Sequence, residues 1–275
     1  MALRINTNLA ALNAHRLLTQ TDNQMGKSIE RLSSGLRINK AKDDVAGLSI
    51  ANNLRMEVRG LQVAQLNVSQ GNALLQMAEG GANQIESIIE RLKELATSAA
   101  SSNVDDAGRK SLNSEATKLL DEIDRIAKDT QYGTTPLLSG SLSMTFQIGS
   151  ASEEYDRISV TTTTGLLSND VGLGTGFSLG SLASAQLAIK NINSALVSVN
   201  IVIGEIGAAQ SRFDYASANL AVSIENISAS QSAIRDVDMA AEMVTFTKNQ
   251  ILLQAGTAML AQANMMPQNV LSLLK

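Results

Sequence analysis

The sequence is poor in the residue types on which most catalytic and metal sites depend. Its 275 residues include no cysteine, no tryptophan, two prolines and a single histidine, His15. The absence of cysteine excludes disulfides, thiolate metal ligands and a cysteine nucleophile. One histidine is too few for a zinc site built on two or more. We therefore expect no enzyme, no metal site and no cofactor.

Aromatic residues are also scarce, at 3% of the chain, whereas apolar residues overall make up an ordinary 44%. A large globular core usually relies on aromatic side chains. Here Ala, Leu, Ile, Val and Met must fill the interior, as in helical bundles with closely spaced axes, and two prolines leave long stretches free to be helical. The net charge of −4 argues against nucleic acid as a partner.

No segment of the sequence is expected to span a membrane, so we expect no membrane partner. The first residues contain no apolar core of signal-peptide length, which predicts that any export does without a cleaved signal. A chain that lacks cysteine also suits export in an unfolded state through a channel, because it forms no cross-links.

Both ends of the chain carry apolar residues at spacings of three and four, which place them on one side of a helix. The N-terminal stripe consists of Ile5, Leu9 and Leu12 and, after a phase slip, Met25, Ile29, Leu32 and Leu36. The C-terminal stripe consists of Met239, Met243, Phe246, Gln250, Leu253, Leu260 and Ala263. Such stripes must be buried. We expect the ends to close on each other or to join neighbouring chains, and to fold largely on assembly.

The interior of the chain predicts three further helices. From Leu61 to Ala96 the same spacing recurs, and a second stripe lies beside the first. The second stripe comprises Val63, Leu66, Leu74, Met77, Ile88 and Leu95. Two adjacent stripes predict a broad buried face and a bundle of more than two helices. Another helix follows over about 105–126, and the repeat from Leu182 to Ile234 predicts a rod of about 80 Å.

Between about 131 and 181 the period changes from helical to alternating. Alternating apolar residues occur at Leu142, Met144, Phe146 and Ile148, and again at Ile158 and Val160. This pattern predicts the two strands of a β-hairpin. The glycine-rich segment Gly165–Gly180 follows, and we expect a flexible loop that faces the medium and tolerates insertions.

Several longer motifs occur along the chain. They are Ile5–Asn8, Leu32–Asn39, Ala41–Leu48, Asn67–Gly81, Ile234–Glu242, Gln250–Gly256 and Ala261–Leu274. These motifs resemble those of bacterial flagellin, in the same order and over both ends and most of the middle. The resemblance implies a mostly α fold: an elongated helical bundle or coiled coil with a small β-hairpin, in which the N- and C-terminal helices pair in an inner coiled-coil domain.

The resemblance also implies a division into domains. Residues 1–40 and 236–275 would form the inner domain of terminal helices, and residues 41–235 a helical-bundle domain that includes the hairpin and the glycine-rich loop at about 131–181. Too few residues follow the strands for the outer domains that many flagellins insert there. Contacts of the inner tube of a filament are expected at Ile5, Leu9, Leu12, Leu32, Leu36, Met243, Phe246, Leu253 and Leu260.

The function implied is that of a structural subunit. Such a chain is exported by the flagellar type III apparatus with a flagellin-specific chaperone, and it polymerises with copies of itself into the extracellular helical filament used for swimming. Filament cap and hook-junction proteins are further partners that the resemblance implies. The alternative is a hook–filament junction protein or a minor flagellin acting as an adaptor. Junction proteins usually match less well in the terminal motifs, whereas this chain matches at both ends.

One surface patch follows from the resemblance residue by residue. Arg91, Leu95 and Glu115 match positions that a vertebrate innate immune receptor reads in flagellins, and the same region contacts neighbouring subunits in the filament. Glu90 and Lys93 depart from the glutamine and arginine common there. The resemblance therefore implies that the free subunit exposes a patch that the filament hides.

Overall fold

The computed structural model describes residues 7–174 and 176–273, and their side chains as far as residue 265. Its elements in chain order are α1 (Leu9–Ser34), α2 (Val45–Ala99), α3 (Asp106–Asp129), β1 (Gln131–Tyr132), β2 (Thr135–Pro136), β3 (Ser143–Gln147), β4 (Arg157–Thr161), α4 (Leu182–Arg235) and α5 (Met239–Leu273). The predicted class, a mostly helical fold with a small antiparallel β-hairpin, is confirmed.

Contacts within the chain divide it into two compact units. The first comprises Met1–Met56 and Asn226–Lys275, and the second comprises Glu57–Glu225. The boundaries between these units lie inside α2 and α4, whereas the sequence-based boundaries, after residues 40 and 235, lie near the ends of helices. Helices α1 and α5 belong to the first unit, and α3 and the strands belong to the second.

The first predicted stripe on α2 forms the core of the second unit. Its members Leu61, Ala64, Val68, Leu75, Ala78, Ala82, Ile85, Ile89, Leu92 and Ala96 are all buried. The second stripe is only partly buried, because Val63, Leu66 and Met77 are exposed while Leu95 is covered. Helix α3 packs beside the C-terminal part of α2, where Arg109 donates to the carbonyl of Ala99 at 3.0 Å. The prediction of a broad buried face is therefore wrong within the chain at Val63, Leu66 and Met77, whereas Leu74 of the same stripe is buried.

The buried side of α4 also repeats at three and four. It consists of Ala185, Ala188, Ile192, Ala195, Val199, Val202, Ile206, Ala209, Phe213 and Leu220. Within the predicted repeat from Leu182 to Ile234, the large residues Ile189, Leu196 and Ile203 are only half-buried. The true seam runs one residue earlier, through alanines and Val202, because small side chains allow neighbouring elements to approach closely.

Helix α4 is more apolar than the sequence analysis recognised. It contains an 18-residue window with mean hydropathy 1.5, long and apolar enough to cross a membrane by length and composition. The expectation that no segment reaches this level is wrong for α4. The core helix of a folded protein meets the same criteria, but here only 33% of the window is buried.

The predicted hairpin is confirmed as β3 and β4. The two strands pair antiparallel from Ser143 opposite Thr161 to Gln147 opposite Arg157. From β3 the ring of Phe146 meets the ring of Phe213 on α4 edge to face, with centroids 5.2 Å apart. These rings also explain a glycine in the middle of α2, since a Cβ on Gly71 would lie 3.0 Å from Phe213.

The glycine-rich segment after the hairpin is packed rather than free. Leu166, Val171, Leu173 and Leu179 are buried, and the amide of Leu179 donates to the side chain of Asn113 on α3 at 2.7 Å. The expectation of a flexible loop facing the medium is therefore wrong for these residues. Their spacing is irregular because the segment forms turns, so no helical or strand period revealed its apolar side.

Candidate functional site

Helix α1 presents one continuous seam to α5. Residues of α1 at spacings of three and four that are buried or half-buried are Ala11, Ala14, Leu18, Thr21, Met25, Ser28 and Leu32. Leu9 and Leu12, from the first part of the predicted stripe, lie off this seam and are 59% and 58% exposed within the chain. Small and polar side chains occupy much of the true seam, so a search for large apolar residues missed it.

Helix α5 contributes a matching seam with the same spacing. It consists of Glu242, Phe246, Asn249, Leu253, Gly256, Leu260 and Ala263. Of the residues predicted for the C-terminal stripe, Met239, Met243 and Gln250 lie off this seam and are exposed. The pairing of the terminal helices, predicted from the resemblance, is thus present within a single chain. A seven-residue repeat with core positions at three and four is the pattern of a coiled coil.

Contacts near the two ends of the seam show that the helices run antiparallel. The side-chain amide of Asn8 donates to the carbonyl of Ala263 at 2.7 Å. At the other end of α1, a guanidinium nitrogen of Arg31 lies 3.5 Å from a carboxylate oxygen of Glu242. Between these two contacts the residue number rises by 23 on α1 (from 8 to 31) and falls by 21 on α5 (from 263 to 242), so the two helices keep nearly one register along the seam.

Large side chains face small ones in this register. The Cδ1 atom of Leu18 lies 2.9 Å from the point where a Cβ on Gly256 would stand. The register likewise sets Phe246 opposite Ser28, and Ser28 is buried. Asn249 is a buried polar side chain in the seam, and such residues fix register in coiled coils at some cost in stability. Ser28, Asn249 and Gly256 do not stand out by hydrophobicity, although a glycine inside a helix is an available signal.

The C-terminal end of α1 contacts the C-terminal end of α4. Gly35 ends α1 with a φ of 72°, and the next residue, Leu36, forms an isolated antiparallel bridge with Asp236. The guanidinium of Arg37 donates to the carbonyl of Ile234 at 2.6 Å, which satisfies one of the carbonyls that the end of α4 leaves unpaired. Leu36, predicted as a filament contact, is half-buried in this joint.

The turn between α1 and α2 explains the Ala41–Leu48 motif. A carboxylate oxygen of Asp44 accepts from the amide of Gly47 at 2.9 Å, as an N-cap of α2 does. The neighbouring Asp43 accepts from the amide of Lys40, and this bond lowers the pKa of Asp43. Lys40 reaches back to Glu30 at 2.6 Å, and the hydrogen bond to that carboxylate, followed by its charge, raises the pKa of Lys40. The acids of this motif are therefore turn and cap residues.

Pairing of α1 with α5 divides the predicted contact residues into two groups. Leu32, Phe246, Leu253 and Leu260 lie on the seam within the chain. Leu9, Leu12 and Met243 remain exposed, while Ile5 lies outside the described residues. Further large apolar residues on these helices are also exposed, namely Leu17, Ile29, Met239, Val244, Ile251, Leu252, Met259 and Met265. The paired helices thus retain an outer apolar surface with no partner in the described chain.

The patch matched to the receptor-reading segment is a cluster of ion pairs. Arg91 donates to Glu94 at 2.7 Å and to Glu115 at 3.1 Å. Hydrogen bonds to Glu94 and then Glu115 raise the pKa of Arg91. Leu95 is only 4% exposed, so it supports the patch from beneath. The structure brings Arg91 and Glu115 together, as the resemblance implied for residues of one patch.

No metal-binding group was found among the described residues: nowhere do three or more histidine or acidic side chains there stand close enough to hold an ion. His15 lines a shallow groove on α1 with the polar side chains Arg16, Gln20 and Lys27. Nothing in the geometry of this groove indicates catalysis.

Comparison with known proteins identifies relatives along nearly the whole chain. The bacterial flagellin N-terminal helical region matches residues 5–143, and the bacterial flagellin C-terminal helical region matches residues 189–274. The flagellar filament 30.7 kDa core protein of Treponema maltophilum is 39% identical over 98% of this chain and 99% of its own length. A flagellin of Halalkalibacterium halodurans is 41% identical with the same coverage.

Among solved structures, a putative flagellar hook-associated protein from Vibrio parahaemolyticus shares the fold. It covers 70% of this chain and all of its own length with a TM-score of 0.59, at 13% sequence identity. The matched family regions lie at both ends of the sequence and include α1 and α5. On the strength of these matches and of the full-length relatives, the chain belongs to the bacterial flagellins.

Proposed function

We infer that this chain is the structural subunit of a flagellar filament and polymerises with copies of itself into a helical tube. The observation that carries this inference is the outer apolar surface of α1 and α5. Eleven large apolar side chains there are at least 45% exposed even though the two helices already cover each other's seams. Flagellins are structural proteins, and family membership supports the same role here.

The chemistry of α5 favours copies of the same chain as the covering partner. From Met243 to Leu273 the helix has a single charged residue, Lys248. A helix face of this composition must be buried. Contacts between two different patches on identical subunits form an open helical polymer when the rotation does not close. Of the residues predicted as contacts of the inner tube, we propose that three contact neighbouring subunits, because the pairing of α1 with α5 leaves them exposed: Leu9, Leu12 and Met243.

Seeded elongation tests this function. Purified chain is added to short filament fragments, and growth is followed by electron microscopy and sedimentation. We expect growth above a critical concentration, and we expect Ile251→Asp to raise that concentration at least about tenfold because a carboxylate would be buried. Ser152→Asp, in the exposed connection of the hairpin, is the matched control. Absence of elongation by the unmodified chain under any seeding condition would contradict the proposal.

Membership of the flagellin family also suggests where the chain acts and which other proteins it meets. We propose that the chain acts outside the cell, after export by the flagellar type III apparatus with a flagellin-specific chaperone. Cap and hook-junction proteins would contact the ends of the filament. The absence of cysteine supports passage in an unfolded state. Accumulation of the chain inside cells that lack the export apparatus, and its appearance outside cells that have it, is the expected result.

The Arg91 patch supports a second proposal within this function. A vertebrate innate immune receptor would bind Arg91 and Glu115 on the free subunit, and subunit packing would hide them in the filament. A guanidinium makes several directed hydrogen bonds that alanine cannot replace. Arg91→Ala should therefore weaken receptor activation by monomer, whereas Arg125→Ala, in a separate ion-pair cluster on α3, serves as the control. Equal activation by monomer and by cross-linked filament of equal mass would contradict concealment of the patch.

A further inference from the structure

Helix α4 carries a second stripe on the side opposite its buried seam. Its large members, Leu187, Val197, Ile201, Tyr215 and Val222, are 51–81% exposed. The positions between them at the same spacing are serine, alanine or glycine, apart from one lysine. At 1.5 Å per residue the stripe is roughly 50 Å long.

Helix α2 carries a shorter stripe of the same character. Val63, Leu66 and Met77 are exposed along one side of the helix. No acidic or basic residue occurs on α2 between Arg59 and Glu79. The outer faces of solvated helices usually carry charged residues. On α4 the sequence is likewise free of charge from Asn191 to Gly204. Both stripes therefore have the composition of surfaces that are covered.

The two stripes face away from each other. Helices α2 and α4 run antiparallel within the second unit, with Asn72 3.3 Å from Asp214 and Gln210 donating to Glu79 at 2.8 Å. At 100° per residue, these contacts lie roughly opposite the exposed stripe on each helix. A single chain therefore presents two separate apolar stripes on opposite sides of the α2–α4 pair, and neither stripe covers the other.

We propose that the exposed stripe of α4 in one subunit packs on the exposed stripe of α2 in the next copy of the chain. Two different and mutually complementary patches on one subunit are what a head-to-tail contact requires. Leu66 and Met77 supply bulk on α2, while Gly204 and Ala208 leave room on α4. Helix α2 has no charged residue from Gly60 to Ala78 and α4 has none from Asn191 to Gly204, so no charge is buried unpaired where these two segments meet. The proposal rests on the proposed filament function and adds a contact in the second unit to the one made by α1 and α5.

Cysteine cross-linking tests the contact directly because the natural chain has no cysteine. Full-length chains carry one cysteine from each stripe, with Val63, Leu66 or Met77 replaced on α2 and Val197, Ile201 or Tyr215 replaced on α4. Filaments and monomers are oxidised in parallel and resolved on a denaturing gel. We expect at least one pair to give a ladder of covalent oligomers from filaments and none from monomers. An intramolecular bond is excluded because the stripes lie on opposite sides of the pair.

The single-cysteine chains are the matched controls. A head-to-tail contact joins an α2 stripe to an α4 stripe, so each single variant should remain uncross-linked. Dimers from a single variant would show a symmetric contact and overturn the proposal. Filaments that form normally but give no ladder with any of the nine pairs would also overturn it, while the filament function would stand. Failure of the unmodified chain to form filaments would instead refute the underlying function.

Substitution gives an independent measure of the same contact. Ile201→Asp and Leu66→Asp should each raise the critical concentration at least about tenfold, and Asn200→Asp, next to the stripe, should leave it unchanged. Because both replaced side chains are exposed in the subunit, its helical circular dichroism should not change. Unchanged critical concentrations for both variants would contradict the proposal. Protection of a cysteine at position 201 by lipid vesicles, without protection in filaments, would assign the stripe to a membrane instead.

Discussion

Leu18 occupies the space into which a side chain on Gly256 would project, with its Cδ1 atom 2.9 Å from the Cβ position. The stability of the α1–α5 seam should therefore depend on the size of the side chains at positions 18 and 256. Gly256→Leu should destabilise the pair by about 1–3 kcal/mol, because overpacking forces side chains off their rotamers. Thermal unfolding of the assembled chain, followed by circular dichroism, measures the loss.

The matched variant is the size swap. Leu18→Ala combined with Gly256→Leu restores one large and one small side chain in the same layer, so it should recover most of the stability that Gly256→Leu loses. Gly256→Ala should be nearly neutral, since the end of the Leu18 side chain is free to shift and alanine favours the helix by about 1 kcal/mol. Additive losses in the double variant would contradict the register.

Two glycines of α2 provide a second test, because they differ only in what surrounds them. A Cβ on Gly71 would lie 3.0 Å from the buried ring of Phe213, whereas nothing lies within 4 Å of a Cβ on Gly80. We expect Gly71→Ala to destabilise the second unit by about 1–3 kcal/mol. Gly80→Ala should stabilise it by about 0.5–1 kcal/mol through helix propensity. Chemical denaturation of both variants measures the difference, and equal shifts of the midpoint would contradict the close packing of Phe213 of α4 on α2.

Arg37 gives a third prediction at the joint between the helix breaks. Its guanidinium donates to the carbonyl of Ile234 at 2.6 Å, so Arg37→Ala should remove about 1–2 kcal/mol of stability from the joint. Hydrogen exchange at the amide of Val237, which bonds to the carbonyl of Gly35 at 3.0 Å, should quicken accordingly. Arg16→Ala, an exposed arginine on α1, is the control and should leave that amide unchanged. Similar exchange in both variants would argue against the role of Arg37.

Acid should loosen the turn between α1 and α2. The amide of Lys40 holds the pKa of Asp43 below its ordinary value of 3.8. A lowered pKa in the folded state stabilises the turn above the unfolded pKa, and this stabilisation is lost as the pH falls through the folded value. Titration of the Lys40 amide resonance should show a midpoint below 3.8, and Asp43→Asn should abolish it. A midpoint at or above the ordinary value would refute the hydrogen bond.

The packed glycine-rich segment changes where an insertion should be tolerated. Leu173 is fully buried, and a Cβ on Gly174 would overlap the side chain of Asn169. A small domain inserted between Gly172 and Leu173 should therefore unfold part of the second unit. The same domain inserted between Ser152 and Glu153, in the exposed hairpin connection, should be tolerated. Thermal melting of the two fusions compares them directly, and equal stability would contradict the packing of the segment.

The sequence predicts correctly those parts of the fold in which large apolar side chains recur at a regular spacing. The stripe from Leu61 to Ala96 is visible in the sequence because six Leu, Ile and Val residues recur at helical spacing among its four buried alanines. The hairpin was recognised because apolar and polar residues alternate. By contrast, the seam of α1 passes through Ala11 and Ser28, whose small side chains carry little hydrophobic signal. Size complementarity with Gly256 depends on a partner more than 200 residues away in the chain, and no local pattern contains it.

The sequence predicts which helix faces are covered, but it does not predict which of them contact neighbouring subunits. Periodicity shows that a helix face must be covered, but it does not separate a partner within the chain from one in another copy. Phe246 and Met243 illustrate the difference, since they belong to one predicted stripe yet only Phe246 lies on the seam with α1. The family resemblance implies the polymer, and the structure shows which apolar side chains of α1 and α5 remain exposed after the helices pair.

Accessibility of the outer face of α5 before and after assembly tests the central claim most directly. Ile251→Cys introduces the only thiol of the chain, and its rate of reaction with a water-soluble maleimide is measured in monomer and in seeded filament. We expect the rate to fall at least about tenfold on assembly, because neighbouring copies bury the side chain. Tyr155→Cys, in the hairpin connection, controls for general slowing and should react alike in both states. An Ile251→Cys thiol that reacts equally fast in filament and monomer would contradict the assignment of this face to the filament contact.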